Sequence, residues 1–358
     1  VKLYLLGGFL GSGKTTAIHH ACSLLKDRMR VAVITNDQGA QLVDSGFIES
    51  LQVPLREVVN GCFCCNYTEL DAGLRSLVMQ NEPDVVFAES VGSCTDLIAT
   101  VVNPLLYDHP SLEIVVSVFA DAGILLHGMR GFQPVFDAEV EYIYRKQLEE
   151  ADVLVVNKID LVQPGDLQEL ENQLGARYPN KKIMYQNSLE EKDILHWIAC
   201  LEGFGLPAVR KSLVLDYDTY ATGEAKLGWL DEELEILAMD GKAAEAALIL
   251  IRKLDEAIRD AGYAIGHLKF LLNDGQRKQK ISFVSLHRGN EIIVREGSGS
   301  NHCRLLINAR VQADPAALKE LVLNASEQLK NEMNCKVIQR KMLAFRPGYP
   351  KPVHRLVS

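Results

Sequence analysis

The stretch Lys2 to Thr16, KLYLLGGFLGSGKTT, constrains the fold more than any other part of the chain. An apolar run, Leu3 to Leu6, empties into a glycine-rich turn that ends in Gly13-Lys14-Thr15. From Gly8 to Thr15 the spacing fits G-x-x-x-x-G-K-[ST], the phosphate-binding loop that joins a strand to a helix. Glycines let successive backbone N–H groups turn inward onto phosphate oxygens, which also sit at the N-terminus of the following helix. Lys14 brings a point charge to the outer phosphates, and the Thr15 hydroxyl is placed to join Mg²⁺. Gly8, Gly11, Ser12, Gly13, Lys14, Thr15 and Thr16 are the expected cradle of a nucleoside triphosphate.

Apolar strand patterns then alternate with helical ones. Thr15 to Asp27 reads as a helix, with Ile18, Cys22 and Leu25 on one face. His19 and His20 on it are read as surface or packing residues. Arg30 to Asn36 reads as a buried strand ending in Asn36-Asp37-Gln38-Gly39, with Asp44 in the polar loop beyond. Two readings of Asp37 stay open: a carboxylate reaching Mg²⁺ or its water, or an Asx-type turn near Gly39. Strands are expected at 56–59, 84–88, 112–120, 151–156 and 182–186, with helices at 67–79, 96–106, 137–150, from Pro164, and 190–201. Ligand residues at strand ends in such an alternation point to an open, mostly parallel α/β sheet with its site outside the carboxyl ends. Glu89, at the end of Asp84 to Ala88, is where a Mg²⁺-associated acid is expected. Gly92 allows close approach to a γ-phosphate. Asn157-Lys158-Ile159-Asp160 follows another buried strand. There Asp160 and Asn157 are expected to select guanine, the Asp160 carboxylate accepting from both the ring N–H and the exocyclic amine, a pair adenine lacks. The Lys158 stem can lie along the base, and Asn187 and Ser188, after the strand at 182–186, are weaker candidates for contact with it.

Cys62, Cys64 and Cys65 crowd onto a loop announced by Asn60-Gly61. Thiolates are soft ligands for Zn²⁺ or another transition metal, and three can supply most of a tetrahedral site. The isolated cysteines, Cys22, Cys94, Cys200, Cys303 and Cys335, are read as packing residues. This metal reading presumes reduced thiols. No run approaches the ~18 apolar residues of a membrane span, and the sequence opens in a strand rather than a signal segment. A cytoplasmic location is the expectation. A net charge of −9 without a long basic run argues against nucleic-acid or membrane-surface partners.

With 358 residues there is room for about two domains. The first is expected over 1–206 and the second over 207–358, with the joint at Pro207 and Arg210-Lys211. The second reads as a smaller α+β domain for a client or cofactor protein. Its expected strands are 212–216, 267–272, 280–286, 303–308 and 335–343, and its helices 242–261 and 315–330. The acidic stretch of Glu224, Asp231, Glu232, Glu233 and Glu235 around Trp229 is read as solvated surface. The tail from Arg346, with three prolines, is expected to be extended.

Gly8 to Thr16, Gly61-Cys62-Phe63-Cys64-Cys65, Glu89-x-x-Gly92 and Asn157 to Asp160 occur in that order. Together they resemble the P-loop GTPases of metallocentre assembly, the group shared with the nickel-insertion GTPases of hydrogenase and urease. The CxCC element is similar to the CobW-like branch, as is Gln147 to Asp152 leading into the guanine motif. The resemblance covers residues 1 to about 206. It implies slow GTP hydrolysis coupled to delivery of a transition metal, zinc first among them, or of a metal cofactor to a client protein. It also implies a GTP/GDP-dependent homodimer. Under it Lys14, Asp37 and Glu89 are the expected catalytic residues. Thr15, Glu89 and Asp37 surround Mg²⁺, and Cys62, Cys64 and Cys65 carry the transition metal. Rival readings are an accessory GTPase for a corrinoid-dependent pathway, a nucleotide-responsive metal sensor or buffer, and a small-molecule phosphotransferase, against which Asn157 to Asp160 argues.

Overall fold

The computed structural model describes residues 1–39, 43–206, 210–239, 241–286 and 299–357. The chain forms two compact units that no single cut separates. One comprises Val1–Gln38, Ile48–Gly223 and Tyr349–Ser358; the other comprises Gly39–Phe47 and Glu224–Gly348.

The first unit holds a seven-stranded sheet of β1 (Lys2–Gly8), β2 (Val31–Asn36), β3 (Leu55–Val58), β4 (Val85–Glu89), β5 (Glu113–Asp121), β6 (Val153–Asn157) and β7 (Lys182–Gln186). Every pairing is parallel, in the order β3-β2-β4-β1-β5-β6-β7. β1, β2, β4 and β6 are apolar almost throughout because helices cover both faces of a parallel sheet. The helices up to residue 226 are α1 (Lys14–Leu25), α2 (Val43–Ile48), α3 (Tyr67–Asn81), α4 (Asn103–Asp108), α5 (Ala122–Met129), α6 (Ala138–Glu149), α7 (Pro164–Arg177), α8 (Glu191–Glu202) and α9 (Tyr217–Lys226). Under α8, Trp197 is fully buried against Phe87 and Phe119, and its indole N–H donates to Ser117 Oγ at 3.1 Å. Burying rings and branched chains of this size stabilises by roughly 1.5–3 kcal/mol each, so the core rather than the loops sets the strand ends. Those carboxyl ends gather Gly8, Asn36, Glu89, Asp121 and Asn157 along one edge of the sheet.

Two local expectations need correction, and one helix is new. The strand expected at 212–216 is absent: Asp216 instead accepts from the N–H groups of Asp218 and Thr219 and opens α9. The helix expected from Asp96 begins at Ile98 with a π turn, Ile98–Val102, because Asp96 has a left-handed backbone (φ 66°). α5 went unanticipated. The Asp121 carboxylate caps it by accepting from the N–H groups of Gly123 and Ile124.

The second unit is an antiparallel sheet of β8 (Gly228–Leu237), β9 (Ala264–Asn273), β10 (Lys278–Phe283), β11 (His302–Gln312) and β12 (Lys336–Phe345), ordered β10-β9-β11-β8-β12. Helices α10 (Ala243–Asp260) and α11 (Pro315–Met333) cover its apolar face. Small residues at Ala243, Ala246 and Ala247 let α10 lie close to the sheet, while Leu250, Ile251, Leu254 and Ile258 fill the core.

The acidic stretch is not solvated surface. Asp231, Glu232, Glu233 and Glu235 lie on β8, next to the centre of this sheet, Glu224 lies in α9, and Glu224, Asp231 and Glu232 are buried. Arginines from the flanking strands account for it. Arg310 Nη1 meets Asp231 Oδ1 at 2.7 Å, Arg304 Nε meets Glu233 Oε1 at 2.6 Å, and Arg340 Nη2 meets Glu235 Oε2 at 2.6 Å. Described residues of the segment Gly39–Phe47 tie into this unit. Val43 N–H donates to Asn308 Oδ1 at 2.8 Å, and Asp44 pairs with Lys269 and with Lys280. Among the described residues, no helix is long and apolar enough to cross a membrane.

Candidate functional site

The loop between β1 and α1 depends on glycine for steric reasons that can be read atom by atom. Gly8 has φ 119°, and a Cβ there would lie 2.1 Å from Phe119 O. Gly13 has φ 98°, and its Cβ would lie 2.2 Å from Asn157 Nδ2. Lys14 curls back over the loop, donating from Nζ to Gly8 O at 2.7 Å and Phe9 O at 3.2 Å. Ser12 Oγ is buried and has no hydrogen-bond partner among the described residues. An orphan hydroxyl in a cradle of turned backbone suits a phosphate oxygen. Thr15 Oγ1 donates to Glu89 Oε1 at 2.8 Å, so a hydroxyl and a carboxylate meet in a buried place. That hard-oxygen pair suits Mg²⁺. Asp37 follows β2, half-buried, its N–H donating to Val58 O at 3.1 Å.

At the end of β6, Asn157 works as a tie within the protein. Its Nδ2 donates to Ser12 O at 2.8 Å, while its Oδ1 accepts from Ser188 N–H at 3.0 Å and Ser188 Oγ at 2.8 Å. Lys158 takes a left-handed backbone (φ 64°), and its Nζ lies 2.8 Å from Asp121 Oδ2. Asp160 is exposed in the turn Ile159–Leu161. Asn187 Oδ1 accepts from Leu189 N–H and closes its own turn. Ser188, one residue on, is the side chain of this turn that touches the guanine motif. From sequence it is, with Asn187, a weak candidate for contact with the base; the structure bonds it to Asn157.

The cysteine loop is anchored to the end of β2. Buried Asn36 donates from Nδ2 to Val58 O at 2.9 Å and Gly61 O at 2.7 Å, and its Oδ1 accepts from Phe63 N–H at 2.8 Å. The ligand atoms of Cys62, Cys64 and Cys65 lie within 4.8 Å of one another. Hydrogen bonds from Cys64, Cys65 and Cys94 hold the Cys62 thiol well below the ordinary thiol range. The bond shared with Cys62 pushes Cys64 well up, and Cys65 goes up to about 11 for the same reason. Three sulfurs this close together are a soft donor set suited to Zn²⁺. Cys94, read from sequence as packing, reaches this cluster. So does the C-terminal tail: Val353 N–H donates to Cys64 O at 2.9 Å and Lys351 N–H to Cys65 Sγ at 3.3 Å. Further along, Arg355 Nε meets Asp96 Oδ2 at 2.8 Å.

The family profile described as CobW/HypB/UreG, nucleotide-binding domain, matches residues 2–185, more than half of the chain. The chain belongs to this family. The zinc chaperone YeiR of Escherichia coli strain K12 is 29% identical over 170 residues, covering 47% of this chain and 49% of YeiR. The zinc chaperone CobW of a Sinorhizobium species is 27% identical over 204 residues, covering 51% of this chain and 57% of its own. The chain spans about half the length of the curated relatives it matches. Among solved structures, the hydrogenase maturation factor HypB from Archaeoglobus fulgidus is similar at 19% identity with a TM-score of 0.41, covering 57% of this chain and 89% of that one.

Within this CobW/HypB/UreG domain, α6 grips the segment after Glu89. Buried Gln147 donates from Nε2 to Gly92 O at 3.0 Å and Cys94 O at 2.8 Å. Glu150 accepts from Thr95 Oγ1 at 3.1 Å and Leu97 N–H at 2.6 Å. Burial, with the Asp96 carboxylate adding to it, pushes Glu150 up to about 8. The raised value favours the protonated folded state. Stability conferred by this group is full below the ordinary glutamate range and is lost as pH rises towards 8. Glu150→Gln keeps the acceptor and removes the charge. In denaturant unfolding from pH 5 to 9, the variant is expected to gain on the parent by on the order of 3 kcal/mol, with the gain levelling off above pH 8. A gap between them that stays flat with pH would contradict this.

Proposed function

We propose that this chain hydrolyses GTP and uses the nucleotide cycle to take up and release a soft transition-metal ion, Zn²⁺, for a client protein. The observation that carries the reading is the convergence of three cysteine sulfurs on a loop held by Asn36, the last residue of β2 in a phosphate-loop unit. The zinc chaperones named among its relatives support the choice of ion.

Each residue has a task. Loop amides, Ser12 and Lys14 hold the phosphates, and Asp160 selects guanine. Asn157 keeps the guanine turn in register with the loop by bonding to Ser12 O and Ser188. Thr15 and Glu89 hold Mg²⁺, which neutralises charge on the outer phosphates when bound. Asp37 orients the attacking water. Because Asn36 is its chain neighbour and carries the cysteine loop, a shift of Asp37 on hydrolysis is passed to the sulfurs. The second unit is the surface for the client.

The test is Zn²⁺ affinity by competition with a chromophoric chelator under reducing conditions, with GDP and with a non-hydrolysable GTP analogue. We expect a difference of ~10-fold or more, about 1.4 kcal/mol of coupling, abolished with Cys62, Cys64 and Cys65 replaced by serine. Equal affinity with both nucleotides would sink the coupling.

A further inference from the structure

A tetrahedral soft-metal site takes four ligands, and the cysteine loop supplies three. Another sulfur approaches them from elsewhere in the chain. Cys94 is buried, and its thiol hydrogen-bonds with those of Cys62 and Cys64. It comes not from the loop but from the segment after β4, five residues beyond Glu89.

We propose that Cys94 is the fourth thiolate of the metal site, closing it as a Cys62–Cys64–Cys65–Cys94 set, and that it carries the nucleotide state to the ion. The inference rests on the metal-carrier reading above and adds a ligand and a route of control to it.

Three contacts define the route. Gly92 lies so close to the phosphate loop that a Cβ there would be 3.0 Å from both the Leu10 nitrogen and Cα. Cys94 N–H donates to Val91 O at 3.0 Å, making Val91–Cys94 a tight turn. Gln147 Nε2 holds the carbonyls of Gly92 and Cys94 together. A movement of Gly92 at the loop therefore moves Cys94 as part of the same clamp.

The three loop cysteines are held separately, by Asn36 on one side and by the tail N–H groups of Lys351 and Val353 on the other. Two supports that shift separately can open a closed four-sulfur site by withdrawing one sulfur. The ion is then left with three protein ligands and an open position for a client's donor. Each sulfur–metal bond that forms releases that thiol's proton to solvent, and each that breaks takes one back.

Co²⁺ is the probe, because its thiolate charge-transfer absorption grows with the number of sulfurs bound. In the full chain with the GTP analogue under anaerobic reducing conditions, we expect a tetrahedral spectrum with the intensity of four thiolates. Cys94→Ser should lose one thiolate's share. It should also weaken Zn²⁺ binding by ~100-fold or more, beyond the ~10–100-fold typical of losing a residue that merely orients a ligand. The ratio of affinities between GDP and the analogue should fall to about 1. A three-sulfur spectrum in the parent protein would overturn the proposal without recourse to any variant. So would a Cys94→Ser protein with parental spectrum, affinity and nucleotide ratio. If Cys62→Ser abolishes binding while Cys94→Ser does not, the cysteine-loop carrier stands and only the fourth ligand falls. A parent protein that binds neither metal overturns both.

Discussion

Replacing Lys14 with alanine is expected to lower kcat/KM for GTP hydrolysis by about 10²–10³-fold, the loss seen when one preorganised donor is removed from developing negative charge. The geometry explains why so much depends on one ammonium. Lys14 is buried, and the loop's own carbonyls, Gly8 O and Phe9 O, hold its Nζ over the cradle. A bound triphosphate exchanges those carbonyls for anionic oxygens, a stronger partner in the same place. The bonds described for the ammonium are to carbonyls of its own loop, Gly8 O and Phe9 O, not to another element. Phosphate-release kinetics should therefore change far more than the unfolding midpoint. Hydrolysis at the parental rate would remove Lys14 from the catalytic assignment, and the phosphate-loop reading of catalysis with it.

The nucleotide half of the site was legible because its rules are local. A phosphate loop needs glycine at particular backbone angles and a lysine and hydroxyl at fixed offsets, and these lie within eight consecutive residues, Gly8 to Thr15. The parallel sheet was legible from unbroken apolar runs such as Val31 to Ile34 and Val153 to Val156. What escaped were pairings between distant residues. Asp121 at the end of β5 both caps α5 and holds Lys158, yet in sequence it is only an acid after a strand. Cys94 looked isolated because the two sulfurs it meets, those of Cys62 and Cys64, lie some thirty residues earlier, on another loop. The acids of β8 looked solvated because their arginines sit on β11 and β12, whose register no local pattern announces.

The largest stability effect is expected in the second unit. Asp231→Ala should cost about 3–5 kcal/mol, because it strands a charge that has no access to water. Arg310 is fully buried, its Nη1 on Asp231 and its guanidinium 3.9 Å from the centre of the Trp229 ring. Removing only the carboxylate takes the paired anion from that buried cation. The Asp231→Ala, Arg310→Met pair removes both charges and should recover most of the loss, since paired desolvation costs disappear together. Each unit has one tryptophan, so denaturant unfolding of the second unit can be followed by Trp229 alone in a Trp197→Phe background. A loss below about 1 kcal/mol would mean the pair is hydrated in solution. The effect should also reach the segment that follows β2. Asn308 donates to Asp231 Oδ1 at 2.8 Å and accepts from Val43 N–H through its other amide atom. Without Asp231 the Asn308 amide loses its bond to the carboxylate, and amide exchange at Val43 should quicken in step with the loss of stability. Protected exchange at Val43 in the single variant would show that Asn308 is held by the backbone of β11 instead.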